Sequence, residues 1–375
     1  MPQYHDLGFQ LLSRLETVAE YADEQEADCN HGGDQALIRH RPRAKRTEFR
    51  KRQPHRTLKE RHMTQRLVVL LSILAHLLLS IQSSEAGSIK VVFVIIMENT
   101  DADQIYGKSK RAPYINETLM PKYARAVNFN DPLPIKIPSE PHYIWMEAGT
   151  NVFPDQTFVS DDDPSISNST SSSDHLVTLM RNSGSVTWMT YQEDINSKTG
   201  LCPVASKFPY AAKHNPFVFF HDVAGKPPSK NSAYCSDHTK PYSSFAADLA
   251  ATKMANYVYI TPNICHDMHG DKKRCPKVDR VLAGDRWLAS ELPRIIDWTD
   301  KNSGVIFIVW DEGSSTSKIP FLAIGPGVKQ GYASSAEYDH GSLVKSIQEI
   351  FNLPILPSVS NKNNLSDIFR ADAFP

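Results

Sequence analysis

The chain runs to 375 residues with no CxxC pair, no internal repeat and a formal net charge of only −1. Without CxxC spacing, a zinc centre built on its cysteines is not expected. Without a repeat, no array of stacked units is expected either. A charge this close to zero selects no partner, nucleic acid included. Long apolar runs are missing too. The most uniform block, Leu67–Ile81, is interrupted by Ser72, His76 and Ser80 and falls short of the about 20 residues that span a bilayer. What remains is a hydrophobic content of 41%, ordinary for a globular protein and enough for one large α/β domain or two small ones.

The near-zero balance hides an uneven distribution. Arg39–Arg66 holds twelve Lys or Arg against two acidic residues, Glu48 and Glu60. So polar a stretch cannot bury enough surface to offset the entropy of ordering itself, and it lacks the interleaved aromatics of a nucleic-acid-binding arm. The apolar block behind it reads as the core of a secretory signal, opened by Met63-Thr64-Gln65-Arg66 and closed by the small residues of Ser84-Glu85-Ala86. Residues 1–62 are therefore expected to be a basic leader or start-site extension, 63–86 a signal peptide and 87–375 the catalytic domain of a secreted or extracytoplasmic protein. A short signal-anchor is the rival; otherwise no stable membrane insertion is expected once the signal is removed.

Cysteine usage fits export. Removal of the signal takes Cys29 and leaves Cys202, Cys235, Cys265 and Cys275, for which three pairings are open. Cys202–Cys235 with Cys265–Cys275 is favoured because each closes a local loop. Sequons at Asn116, Asn168 and Asn364 are compatible with a glycoprotein.

Two stretches far apart in the chain share one design. Val91–Met97, mostly β-branched, ends on Glu98-Asn99, and Gly304–Trp310 ends on Asp311-Glu312. Each reads as a strand buried on both faces, and the carboxyl ends of such strands are where open α/β sheets collect ligands. The two sets of hard oxygen donors together make a candidate cation site. Ser139 falls at or just before a helix start, because Pro141 suits a first turn and Gly149 an end. Free backbone N–H groups there favour an anion, although a plain N-cap is the simpler role for a serine.

The rest alternates. Helices are expected around Met120–Ala126 and over His175–Asn182, Ser243–Thr252, Arg280–Lys301 (despite Pro293) and Ser342–Phe351. Strands are expected over Ser185–Tyr191, Asn256–Ile260 and Pro320–Ile324. Residues 160–174, with an Asp triplet, read as a solvated surface loop, and 196–240 as irregular. This order implies a three-layer α/β sandwich around a mostly parallel sheet.

Glu98-Asn99, Ser139, Asn263 with His266 and His269, and Asp311-Glu312 all lie at strand ends or helix starts. Phosphate-ester hydrolysis at a metal site uses this set. Carboxylates hold a divalent cation that lowers the pKa of a hydroxyl and neutralises phosphoryl charge, while histidines donate to phosphoryl oxygens or protonate a leaving group. Oxygen ligation suits Mg, Mn or Ca, and histidine participation admits Zn.

At these residues the sequence resembles the phosphoesterase family of acid phosphatases and bacterial phospholipases C, within the alkaline-phosphatase-like superfamily. The resemblance rests on Met97-Glu98-Asn99, the PSEPHYIWMEAGT segment around Ser139, YAAKHNPFVFF (Tyr210–Phe220), TPNICHDMH (Thr261–His269), GDRWL (Gly284–Leu288), VWDEG (Val309–Gly313) and the HGSLVKSI of the last helix. It implies an alkaline-phosphatase-like fold, with Glu98, Asn99, Asp311 and Glu312 on the metal and Ser139 as a nucleophile forming a phosphoserine. It also implies that His214 and one or both of His266 and His269 contact the phosphoryl group, with His340 bordering the site. His142 is a departure, since the family often has Asn there.

The other residues read as scaffold: Tyr143, Trp145 and Met146 as core packing, Asp285 as structural, His175 and His221 as surface histidines. The expected function is an exported, metal-dependent, acid phosphatase-like phosphomonoesterase acting on a small phosphorylated substrate. The alternatives are a phospholipase C-like phosphodiesterase and a non-catalytic surface binding protein.

Overall fold

Val91–Met97 and Gly304–Trp310 lie side by side and parallel, in register from Val91 opposite Gly304 to Met97 opposite Trp310. Every residue of both is buried. The computed structural model describes residues 89–195 and 201–375, all within one compact unit, Leu74–Pro375. The expected leader, 1–62, and signal, 63–86, lie outside the described residues.

The described strands are β1 (Val91–Met97), β2 (Ala124–Ala126), β3 (Phe129–Asn130), β4 (Trp188–Gln192), β5 (Thr239–Pro241), β6 (Tyr257–Thr261), β7 (Gly304–Trp310), β8 (Phe321–Ile324), β9 (Ala333–Ser334) and β10 (Tyr338–Asp339). Eight form one sheet in the order β5-β4-β6-β1-β7-β8-β2-β9, and β10 pairs with β3 separately. Only β8 runs antiparallel to its neighbours, β7 and β2. The sheet is mostly parallel, as the alternation of elements implied.

Helices of eight residues or more are α1 (Ser139–Ala148), α2 (Leu176–Ser183), α3 (Arg280–Lys301) and α4 (His340–Ile350). Successive strand side chains point to opposite faces, and this sorts the layers. On one face Phe93 of β1 meets Trp298 of α3 edge-on, ring centroids 5.5 Å apart, and Phe245 at 6.3 Å. Phe93 pairs with Val258 of β6, so Tyr257 and Tyr259 point the other way. There burial and the charge of Glu147, on α1, push both hydroxyls far above the usual range. Helices therefore cover both faces. The result is a three-layer α/β sandwich.

The local reasons are legible residue by residue. Asp279 caps α3 by accepting from the Val281 and Leu282 N–H groups at 3.0 and 3.1 Å. Its buried stripe, Val281, Gly284, Leu288, Leu292, Ile295 and Thr299, keeps the helical period. Gly149 ends α1 at φ 67°, and a side chain there would also run into Val359. The expected helix around Met120–Ala126 is cut short. Only Met120–Lys122 is helical, because Ala124–Ala126 pairs with β8 and β9, and sheet pairing overrides the helix preference of alanine.

Both favoured disulfides, Cys202–Cys235 and Cys265–Cys275, are formed. One histidine reading is corrected. His175 is fully buried between Glu147 at 2.9 Å and Asp222 at 3.0 Å, a burial that its polar flanks did not announce.

Candidate active site

Because Met97 faces Trp310 in the central pair, the next residues of each strand emerge together. Asp311 N–H donates to the Met97 carbonyl at 3.0 Å, and Asn99 N–H donates to Asp311 Oδ1 at 3.0 Å. Asn99 holds φ 51°, a left-handed turn that asparagine tolerates better than most side chains. Arg280, at the start of α3, fastens this turn through the Asn99 carbonyl at 2.8 Å, Thr100 Oγ1 at 3.0 Å and the Met268 carbonyl. Asp101 gathers Ser315 N–H and Thr316 N–H at 3.0 Å each. Burial raises its carboxyl, but the Ser315 hydroxyl and these N–H donors outweigh burial and hold it down at about 2. Gly313 is required by close approach, since a Cβ there would lie 2.0 Å from the Thr316 carbonyl oxygen.

Ser139 is the first residue of α1, with Pro138 at the cap position. Its Oγ lies 3.0 Å from Glu312 Oε1 and 3.2 Å from Glu98 Oε2. One hydroxyl proton cannot satisfy two carboxylates at once. Glu98 Oε2 also accepts from Asn99 Nδ2 at 2.5 Å, and Glu98 Oε1 from the Tyr143 hydroxyl at 2.6 Å. Glu98, Asn99, Ser139, Asp311 and Glu312 thus converge from two strand ends and one helix start.

The histidines divide. His214 Nε2 sits 3.2 Å from Glu98 Oε1, and its ring stacks on Tyr143 at 4.9 Å. His269 lies 6.1 Å from His214, ring to ring. Its Nδ1 donates to the Gly270 carbonyl at 2.8 Å, which turns Nε2 away from its own loop. His266 points elsewhere, its Nδ1 3.0 Å from Glu193 and its side chain 40% exposed. Asn263 is committed to its turn, donating to Asp194 at 2.5 Å and accepting from Cys265 N–H at 2.8 Å. His340 is buried and donates from Nε2 to the Trp310 carbonyl at 2.9 Å. His142 is buried beside Asp131, 3.1 Å away.

Sequence reading missed Asp267. It stands between His266 and His269, fully buried, with Oδ1 accepting from His269 N–H at 2.7 Å and its carbonyl from Glu98 N–H at 2.7 Å. Three acid or imidazole side chains within the four residues 266–269, shortly after the end of β6 at Thr261, were the available signal. Tyr143 was read as packing alone, but its hydroxyl belongs to the site. The Asp triplet is not simply solvated either: Asp161 pairs with Lys213, and Asp163 accepts from Ser206 N–H at 2.7 Å. The amide of Asn168 is buried against Glu140, 3.1 Å away, so that sequon serves the fold.

The electrostatics ask for a cation. Burial pushes Glu98 up, yet His214, His269 and Tyr143 outweigh it and hold Glu98 below its ordinary value. Burial, then Glu98 and Glu312, push Asp311 far up. Burial also lifts Asp267 to about 6 and Glu312 to about 7. His214, pushed down by burial, is held above its usual value by Glu98 and Asp267. Asp311 Oδ2, Asp267 Oδ2 and His214 Nε2 are buried without a hydrogen-bond partner. Ligand atoms of Glu98, His214 and Asp267 all lie within 4.8 Å of one another. Excess buried negative charge with unpaired donor atoms suits a divalent cation.

A family model described as the phosphoesterase family matches residues 118–354, more than half of the chain. A Mycobacterium tuberculosis protein named phosphatidylinositol-3-phosphatase is 25% identical over 280 residues, 74% of this chain and 82% of that one. A probable acid phosphatase of Kluyveromyces lactis is 24% identical over 313 residues, 76% of this chain and 66% of that one. Among solved structures, one titled for glycosaminoglycan metabolism by Bacteroides thetaiotaomicron superposes with a TM-score of 0.50 at 11% identity, covering 77% of this chain and 83% of that one. That likeness speaks to fold alone.

Proposed function

This chain belongs to the phosphoesterase family, and from that premise we propose that it hydrolyses phosphoric monoesters outside the cytoplasm through a Ser139 phospho-enzyme. The observation that carries the reading is the Ser139 hydroxyl held between two buried carboxylates, 3.0 Å from Glu312 and 3.2 Å from Glu98. Glu98, Asn99, Asp311 and Glu312 would hold a divalent cation, and Asp267 and His214 lie close to Glu98. When bound, such an ion lowers the pKa of a neighbouring hydroxyl and offsets phosphoryl charge.

The chain's own groups account for the rest. Glu312, 3.0 Å from Oγ, accepts the Ser139 proton as Oγ forms its bond to phosphorus and the ester P–O bond breaks. The backbone N–H groups at the start of α1 face the phosphoryl oxygens. His269 Nε2 delivers a proton to the departing alkoxide, and His214, fixed by Glu98 and Tyr143, donates to a non-bridging oxygen. Water then attacks the phosphoserine, returning the proton to Ser139 and releasing phosphate. The names of the two curated relatives support a phosphomonoesterase acting on small phosphorylated molecules. Two disulfides support an oxidising compartment.

The test is hydrolysis of a chromogenic phosphate monoester against the matching diester, with and without chelator. Monoester cleavage lost on chelation and restored by a divalent cation is expected. Preference for the diester would shift the assignment to a phospholipase C-like activity. Cleavage of neither would leave a binding protein.

A further inference from the structure

Beside the carboxylates lies a pair that this scheme leaves idle. His142 sits in the first turn of α1 with its ring fully buried, and Asp131 beyond it is 1% exposed. His142 Nδ1 is 3.0 Å from the Pro138 carbonyl, which can only accept, so Nδ1 carries a proton. His142 Nε2 is 3.1 Å from Asp131 Oδ2. Two lone pairs at that distance would repel, so a second proton lies between them. The contact is at ion-pair distance without the alignment of a hydrogen bond, and neither atom has another hydrogen-bond partner.

Asp131 is itself fixed. Its Oδ1 accepts from Leu133 N–H at 2.9 Å, and its own N–H donates to the Ser317 carbonyl at 2.7 Å. Ser317 follows the Asp311-Glu312 loop, so the pair joins that loop to the helix carrying Ser139. Pro138 has no N–H. Its carbonyl is the polar atom immediately ahead of Ser139, and His142 holds it. The charged or titratable groups facing the His142 ring are Asp131, Glu312 and His340, whose ring lies 6.5 Å away. Burial holds His340 below its ordinary value.

We propose that His142 and Asp131 form a positioning pair, a buried imidazolium–carboxylate that fixes the peptide ahead of Ser139. The pair touches no substrate. It rests on Ser139 being the nucleophile, and it deepens that reading by giving His142 a role that asparagine cannot fill, because an amide carries no charge.

Three variants of the full chain, His142→Asn, Asp131→Asn and the double replacement, test it alongside wild type. Melting curves establish that each is folded. The expected result is a kcat lowered at least tenfold in each single variant, with KM changed less than twofold and an altered pH profile. The double variant should be no slower than the slower single one, because the two residues act as a unit. Nitrogen NMR of histidine-labelled Ser139→Ala protein should find both His142 ring nitrogens protonated near neutral pH, and one of them unprotonated after Asp131→Asn. A folded His142→Asn protein with wild-type kcat and pH profile would overturn the proposal, as would a singly protonated ring in the Asp131 parent. If wild type cleaves no phosphate ester, the catalytic reading itself fails. The ring protonation still decides the pair independently of turnover.

Discussion

Two buried clusters of carboxylates and histidine sit at opposite ends of α1, built from the same residue types and balanced differently. At the carboxyl end, His175 lies between Glu147 at 2.9 Å and Asp222 at 3.0 Å, Arg181 reaches Asp222 at 2.6 Å, and Val177 N–H donates to Glu147 at 2.8 Å. Two carboxylates face two cations. At the amino end, Glu98, Asp267, Asp311 and Glu312 crowd around Ser139, with His214 and His269 beside Glu98 and Asp267 and His142 beside Glu312. Negative charge is in excess, and three buried donor atoms have no hydrogen-bond partner, against one, Glu147 Oε2, in the balanced cluster. Composition does not distinguish scaffold from site here. Unmet charge does.

The comparison breaks most visibly at Ser139. Ser139→Ala should lower turnover of a phosphate monoester by about 10⁴-fold or more, the scale of losing a nucleophile. Melting temperature should hold or rise slightly, because one hydroxyl between two carboxylates contributes little to the fold. Full activity in this variant would require direct attack by water.

At the other cluster the effect should invert. His175→Ala leaves two carboxylates facing each other in the interior, and removing one partner of a buried pair costs about 3–5 kcal/mol. Urea titration should show that loss, while the folded fraction keeps turnover per molecule within a few-fold. A stability change below 1 kcal/mol would mean that the network is not the scaffold described here.

Asp311→Asn sharpens the contrast with a smaller effect. In chelator it should raise stability by about 1 kcal/mol, by removing a carboxyl that must take up a proton on folding. Wild type should gain about 2.7 kcal/mol from a divalent cation at a hundred times its dissociation constant, and the variant should lose most of that gain. Equal stabilisation of both proteins by the cation would remove Asp311 from the ligand set.

The same contrast explains what could be read from sequence. β1 and β7 were legible because unbroken apolar runs of that length admit little else, and their polar ends named the ligand candidates. α3 was legible from its amphipathic period. Asp267 was not, because one carboxylate between two histidines gives no sign of which side chain turns inward. That choice is made by the Cys265–Cys275 loop and Arg280. His175 escaped for a related reason: its partners Glu147 and Asp222 come from distant segments. The strand Ala124–Ala126 was hidden by helix-forming alanines whose conformation is set by neighbours on either side.

The smallest expected effect is the pH dependence of the balanced cluster. Burial pushes His175 down, but Asp222 and Glu147 outweigh it and hold the imidazole above its ordinary value. A raised histidine contributes stability that is complete below the unfolded value of about 6.5 and disappears as pH climbs through the folded one. Glu147, raised chiefly by burial, has the same sign, since its charged form is disfavoured in the fold. Asp222 opposes them. Burial raises it, but His175, Thr178 and Arg181 outweigh burial and hold it low, so its contribution is present above about 3.9 and lost on acidification. The cluster should therefore be most stable near about pH 4, where Asp222 is ionised and Glu147 is not, and should weaken above that, with the His175 part of the loss beginning above about 6.5. Asp267, Asp311 and Glu312 are raised as well and would add to the decline, so the comparison belongs in saturating divalent cation, where their charge is met. Under that condition wild type should lose about 1 kcal/mol more between pH 6 and 8 than His175→Gln, by urea titration at each pH. Parallel slopes in the two proteins would assign the decline to other groups and leave His175 neutral in the folded chain.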